Sequence, residues 1–309
     1  MTLSHGFVDL QVNGYMGVDF NGTSISTEQL RQACETLAAD GVTSILATII
    51  TAEADAMIGR LGTIVQACER DEVISRMVCG IHIEGPFINV RPGYVGAHPM
   101  AAVREADLDL AKRLLDAAAG MTRIFTLAPE QDPGFRLTKY LSGQGIVVSA
   151  GHCDPSSDQL LGATEAGLSM FTHLGNGCPA EMHRHDNIIQ RALALADRLW
   201  FGFIADGVHV PYFALKNYLQ TVGLGRAVFV TDAILAAGLG PGEYMMSGRA
   251  VVVDELGVTR YPGDLTHFVG SAATMPKMIE RAGKELGLDD EQLRRLACDN
   301  PRQVIGLSA

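Results

Sequence analysis

Eight short runs rich in β-branched and aliphatic residues recur along the chain, separated by stretches of helical character. They lie at 6–13 (GFVDLQVN), 42–50 (VTSILATII), 77–84 (MVCGIHIE), 122–128 (TRIFTLA), 145–151 (GIVVSAG), 168–173 (LSMFTH), 199–205 (LWFGFIA) and 226–232 (RAVFVTD). Ser26-Thr27-Glu28 opens a helix with a capping pattern, and that helix runs to Gly41. Further helices are expected near 105–118, 156–166, 180–196, 211–221, 274–287 and 290–298. Strands that alternate with helices favour a parallel sheet, and a count of eight predicts an α/β fold of the (β/α)8 TIM-barrel type; a doubly wound sheet is the competing architecture. One segment breaks the rhythm: YMMSGRAVVVDELGVTR, 244–260, reads as a β-hairpin inserted after the eighth strand. No linker, repeat or low-complexity tract interrupts the pattern, so residues 1–309 are expected to form a single domain.

Composition bears on partners and compartment. At 309 residues and 47% hydrophobic, the chain can bury one barrel-sized core. A formal net charge of −11 argues against nucleic acid, which needs a basic face. The six cysteines (34, 68, 79, 153, 178 and 298) form no C-x-x-C pair, and several sit in apolar runs. They read as reduced thiols of a cytoplasmic protein. No apolar run approaches the ~18 residues of a membrane span, and Met1 leads almost directly into GFVDLQVNG, so neither membrane nor signal peptide is expected.

The polar residues of the strand ends carry the chemistry. GIHIEGPFINV, 80–90, sets His82 and Glu84 two apart in an apolar run. A buried carboxylate is costly unless it is paired, protonated or bound to a metal. His152 follows the fifth strand in SAGHCD, His173 ends the sixth in FTHLGNG, His209 follows the seventh in ADGVHVP, and Asp232 ends the eighth in FVTDA. Barrel enzymes place their reacting groups at this end of the sheet. Taken alone, a strand-end histidine is more often a structural hydrogen-bonded residue, and a strand-end aspartate is often a helix cap. Together, Glu84, His152 and His173 form a set suited to one divalent cation: Zn2+ first, with Fe2+, Mn2+ and Co2+ as alternatives. Asp232 is the best general base beside such an ion. His98, in GYVGAHP on the loop after the third strand, reads on its own as a surface-loop histidine; the alternative is that it reaches over the site to polarise a carbonyl oxygen. Asp9, Gln11 and Asn13 alternate along the first strand and should share a face.

HIEGPF followed by GAH, AGH, THLGN, ADGVHV and VTDA, with GFVDLQVNG before them, resembles the N-acetylglucosamine-6-phosphate deacetylases of the amidohydrolase superfamily. The matches run in order over nearly the whole chain. The resemblance implies a metal-dependent (β/α)8 barrel that hydrolyses the N-acetyl group of an amino-sugar phosphate, and it implies a homodimer. Carried over by motif, Glu84, His152 and His173 are the metal ligands, Asp232 the base and acid, and His98 the carbonyl partner. Asn176 and Gly177 are implied to meet the sugar, and Arg184 and His209 the phosphate. Gln11-x-Asn13 stands where many amidohydrolases carry His-x-His; amides are poor ligands, so this is a vestigial second-metal position and a single ion is expected.

The sequence departs from the family in three places. The segments that usually build a small β-sandwich are missing, so a bare barrel is expected. HLGNGCP lacks the usual aromatic near the sugar, and MHRHDNIIQRA replaces the usual Gly-rich stretch around the phosphate arginine. The substrate is therefore open to a second reading, an unphosphorylated or different N-acyl compound. A non-catalytic metal- or sugar-binding paralogue is a third reading, and the joint presence of Asp232 and all three ligands argues against it.

Overall fold

The computed structural model describes residues 6–263 and 268–307. Eight parallel strands build one sheet: β1 (Phe7–Val12), β2 (Val42–Ile50), β3 (Val78–Glu84), β4 (Thr122–Leu127), β5 (Val147–Ala150), β6 (Leu168–Phe171), β7 (Trp200–Ile204) and β8 (Ala227–Val230). They pair in sequence order. The seam between β8 and β1 is closed by a parallel bridge from Val12 to Ala233, where Asn13 N donates to Ala233 O at 2.7 Å. The Asp9 carboxylate spans the same seam, accepting from Gln11 N and from Thr231 N, each at 3.2 Å. Asp9 therefore serves barrel closure and does not join Gln11 and Asn13 at the site; a register irregularity between Asp9 and Val12 separates them. The expected (β/α)8 barrel is the fold.

Two apolar layers hold it. Inside the barrel, Val8, Leu10, Leu46, Ile124, Met170 and Val228 pack together, and Val304 and Ile305 near the C-terminus close the bottom. Outside, helices lay apolar faces on the strands. α1 (Thr27–Ala39) starts at Ser26, whose hydroxyl accepts from Gln29 N at 3.1 Å while Gln29 Oε1 accepts from Ser26 N at 2.9 Å. α2 (Ala54–Arg70), α3 (Glu72–Met77) and α4 (Leu108–Ala117) follow, then α5 (Arg136–Gly143) and α6 (Ser157–Glu165). α7 (Ile188–Leu193), α8 (Tyr212–Val222), α9 (Met275–Leu286), α10 (Asp290–Arg294) and α11 (Asn300–Val304) complete the outer layer. α2, α3 and α5 are additions to the sequence-based reading. The helix expected over 180–196 is confined to Ile188–Leu193: the preceding AEMHRHD is polar with no apolar period, and Asn187 caps the shorter helix by accepting from Gln190 N at 3.1 Å. The last expected helix, 290–298, passes through a π-helical turn at Arg295–Asp299 into α11.

After β8 comes an antiparallel hairpin, β9 (Gly242–Met246) and β10 (Arg249–Val253), with a third short strand, β11 (Thr259–Arg260). Its two turn residues, Ser247 and Gly248, have φ of 49° and 82°, the pattern that matches strand twist in a two-residue hairpin. The tip is pinned across the barrel mouth: Ser247 N donates to Asp19 Oδ2 at 3.0 Å, and the Ser247 hydroxyl lies 2.8 Å from the same oxygen. All six cysteines are free thiols. Among the described residues no helix is long and apolar enough to cross a membrane.

Candidate active site

Glu84 ends β3 fully buried, and three side chains converge on it. Its Oε1 lies 3.2 Å from His152 Nε2 and 3.0 Å from His173 Nε2, while Oε2 accepts from Gln11 Nε2 at 3.2 Å. Burial pushes the Glu84 carboxyl up, but the rings of His152 and His173 at its Oε1, when protonated, outweigh burial and hold it well below the usual carboxylate range. His152, His173 and Asp232 each sit just past a strand end with left-handed backbone, φ 49°, 32° and 51°. Such conformations cost roughly 1 kcal/mol or more for a side-chain-bearing residue and persist where the surroundings hold them. One support is Gly177: a Cβ there would lie 2.9 Å from His152 Nδ1, so only glycine lets the turn close on that ring.

The hydrogen bonds fix one tautomer. His152 Nδ1 is 2.7 Å from the Tyr94 carbonyl, which can only accept, so Nδ1 carries the hydrogen. In the neutral ring Nε2 then presents a lone pair to Glu84 Oε1, another acceptor. His173 Nδ1 is buried without a partner among the described residues. Glu84, His98 and His152 also offer one donor atom each within 4.8 Å of one another. A carboxylate oxygen met by the Nε2 atoms of two imidazoles, one of them presenting a lone pair, fits a divalent cation, which would turn that opposed pair of acceptors into ligands. Gln11 donates to Glu84, and Asn13 Nδ2 donates to Asp232 Oδ1 at 2.6 Å, so both amides act as donors to carboxylates rather than as ligands.

Asp232 is enclosed on the same floor. Burial, then the Glu84 charge, raises its carboxyl to about 6. His98 is buried in the cavity wall, not on the surface; its Nδ1 lies 2.8 Å from Thr51 Oγ1, and burial pushes the ring down to about 3. His209 Nδ1 donates to Asp206 Oδ2 at 2.7 Å, and its ring packs edge-on to Phe268 with centroids 4.9 Å apart. Asn176 lines the cavity, its Nδ2 donating to His173 O at 3.3 Å. His82 plays no part in this floor. It points into the barrel, bonded to Leu10 O at 3.1 Å and Thr126 Oγ1 at 2.8 Å.

These residues face a cavity of about 530 Å³ under the hairpin. Arg184 is not among its lining residues: it is exposed on the 179–187 loop. The loop is held outward by Arg191, whose Nε donates to Asp186 Oδ1 at 2.6 Å and whose Nη1 donates to Asp154 Oδ1 at 2.9 Å. The guanidinium groups that do line the cavity are Arg60 of α2, Arg249 of β10 and Arg260 of β11. Sequence reasoning missed them. Arg249 and Arg260 lay in a hairpin already recognised, but nothing local shows that its strands roof the site. Tyr94 was missed too, because its contribution is a backbone carbonyl.

No protein-family model matches the chain. It is 35% identical over 252 residues to the N-acetylglucosamine-6-phosphate deacetylase of Bacillus subtilis, spanning 80% of this chain and 62% of that protein. It is 32% identical over 314 residues to the protein of the same name from Bos taurus, spanning 99% and 75% of the two chains. A substituted N-acetyl-D-glucosamine-6-phosphate deacetylase from Mycobacterium smegmatis, solved in complex with N-acetyl-D-glucosamine-6-phosphate, superposes with a TM-score of 0.88 at 30% identity, over 99% of this chain and 78% of that one. The chain thus spans less than two thirds of the Bacillus protein.

Proposed function

The chain belongs to the N-acetylglucosamine-6-phosphate deacetylase family, and from that premise we propose that it hydrolyses the N-acetyl group of N-acetylglucosamine 6-phosphate, or of a close amino-sugar phosphate, to acetate and the free amine. The observation that carries this reading is the Glu84-centred cluster facing Asp232 on the floor of one cavity. We assign Glu84, His152 and His173 as ligands of one divalent ion, Zn2+ first. When bound, the ion supplies Lewis-acid activation of water and of the scissile carbonyl.

The chain's own groups do the rest. Asn13 occupies Asp232 Oδ1, which leaves Oδ2 to take the proton of the attacking water as its oxygen bonds to the carbonyl carbon. The same oxygen returns that proton to the amine nitrogen as the C–N bond breaks. His98, held by Thr51, is the assigned hydrogen-bond partner of the carbonyl oxygen. Asn176 and Gly177 are assigned to the sugar, and His209, oriented by Asp206, to the outer part of the substrate. We further propose a homodimer in the cytoplasm, the compartment suited to six free thiols.

The test is acetate release from N-acetylglucosamine 6-phosphate, beside the unphosphorylated sugar and the galactosamine epimer, with metal restored after chelation. Metal-dependent release from the phosphorylated sugar is expected. Release from none of the three would overturn the assignment and leave a different amide as substrate.

A further inference from the structure

His152 is held from two sides, and both holds run back to one carboxylate that does not line the cavity. Glu130 sits in the short helical turn Pro129–Gln131, just past β4. Its Oε1 accepts from Asp154 N at 2.6 Å and from Asn89 Nδ2 at 2.8 Å. Asn89, on the loop after β3, donates its own backbone N–H to His152 O at 2.9 Å. Glu130, Asn89, His152 and, through Cys153, Asp154 thus close a ring. The left-handed residue His152, φ 49°, lies within it. Asn89 also reaches the imidazole. Its Oδ1 accepts from Arg91 N at 2.9 Å, Tyr94 N donates to Arg91 O at 3.1 Å, and the Tyr94 carbonyl is the acceptor that fixes the His152 tautomer. Arg91 stacks on the Tyr94 ring, its Cζ 4.7 Å from the centroid, and donates to Asp154 Oδ2 at 2.5 Å, so this strap returns to the ring where it began.

Glu130 Oε2 is buried with no partner among the described residues, so the carboxylate acts through Oε1 alone. Asp132, two residues on, is the contrast. It is buried too, and it accepts from Leu137 N at 3.0 Å and from Thr138 N and Oγ1 at 2.8 Å each, yet both residues belong to α5 and neither leads to His152. One acid fastens a helix; the other ties the loops after β3 and β5 together around a strained histidine. A ligand fixed in place beforehand gives up little freedom when it binds, and groups that orient a ligating histidine govern metal affinity for that reason. Building on the ligand assignment above, we infer that Glu130 is the positioning residue of the metal site. It sets the backbone of His152 through Asp154 and Asn89, and the imidazole through Asn89, Arg91 and Tyr94.

The test reads metal binding without turnover. Metal-free wild type, Glu130→Ala, Glu130→Gln, Asn89→Ala and Asp132→Asn are titrated with Zn2+ against a chromophoric chelator, well below their melting temperatures. The visible spectrum of each is then recorded with Co2+ in place of Zn2+. Glu130→Ala and Asn89→Ala should weaken Zn2+ binding about tenfold to a hundredfold, the range for groups that orient a ligating histidine, and should shift the Co2+ bands. Glu130→Gln should recover most of that loss, because its amide oxygen can accept the same two bonds. Asp132→Asn should melt earlier yet keep wild-type affinity, as a purely structural acid would. Wild-type affinity in both alanine variants, a loss in Asp132→Asn as large as theirs, or no recovery in Glu130→Gln would each overturn the inference. Should Glu130→Ala not fold, Asn89→Ala breaks the same ring from the opposite side. A wild type that binds no Zn2+ would overturn the ligand assignment and the inference with it, whereas unchanged variants of a Zn2+-binding wild type leave the ligand assignment standing.

Discussion

At the scale of single residues, Asp232 and Asp9 show how one side-chain type takes opposite roles a few residues apart in space. Asp232 faces the cavity and depends on Asn13 for its orientation. Asp232→Asn is expected to keep its bound metal while kcat falls by about 10²–10⁴, the usual contribution of a positioned acid–base group; near-normal turnover, with metal content measured alongside, would remove Asp232 from that role. Asp9 is sealed in the seam, where burial raises its carboxyl from 3.8 to about 7 against the bonds from Thr231 and Gln11. Between those two values the unfolded chain has released the proton and the folded chain still holds it. Asp9 therefore makes the fold less stable as pH rises from about 4 to about 7, and adds no slope above that range. Asp9→Asn should flatten this part of the stability profile in urea titrations, and an unchanged slope would point to another group. Much of this was legible in the sequence. Glu84, His152, His173 and Asp232 could be placed because each ends an apolar run, and strand ends meet in a barrel. His82 shares a strand face with Glu84 and was given no role, and the structure seats it deeper, against Leu10 O and Thr126.

At the scale of elements, the strands were the most readable, since a strand buried on both faces is largely apolar, as β8 (AVFV) shows, and stands out from its flanks. The start of α1 was readable from a local cap. α2 and α5 escaped because nothing comparable marks them: Glu53 and Phe135, the residues before them, make no side-chain cap. The shortening of α7 is a loop effect, since His183 accepts from Asp186 N and Asp186 in turn accepts from Arg191, which fixes the segment as a turn. The π-helical turn near the C-terminus has its own purpose: it delivers Asn300 Nδ2 to Leu224 O at 2.7 Å and to Ala227 O at 2.6 Å, tying α11 to the entry of β8. Asn300→Ala should cost about 1–3 kcal/mol in denaturant unfolding, the range for leaving buried carbonyls unsatisfied. A loss below a few tenths would mean that the turn is held by apolar packing alone.

At the scale of the whole molecule, the barrel and its count of eight were legible, whereas the roof over the cavity was not: Asp19 meets Ser247 across 228 residues, a contact no local pattern encodes. The floor makes a stoichiometric prediction. With Gln11 and Asn13 donating to the two carboxylates, elemental analysis should give one divalent ion per chain, and two would show that the amides yield to a second ion. Chelation should lower the melting temperature, because a ligand held only by the native state stabilises it. The seam carries one further consequence. Asp9 and Thr231 are 222 residues apart, so the first strand waits until all seven others have been made for the neighbour that closes the ring. Local helices and adjacent strand pairs can form as the polypeptide emerges, but joining the first strand to the eighth comes late because distant contacts carry the largest loop-closure penalty. Until then β1 and β8 are both open edges, vulnerable to pairing with a neighbouring nascent chain, and Asp232 has no fixed position from which to act. The floor of the cavity is thus complete only once the first and the eighth strand have met.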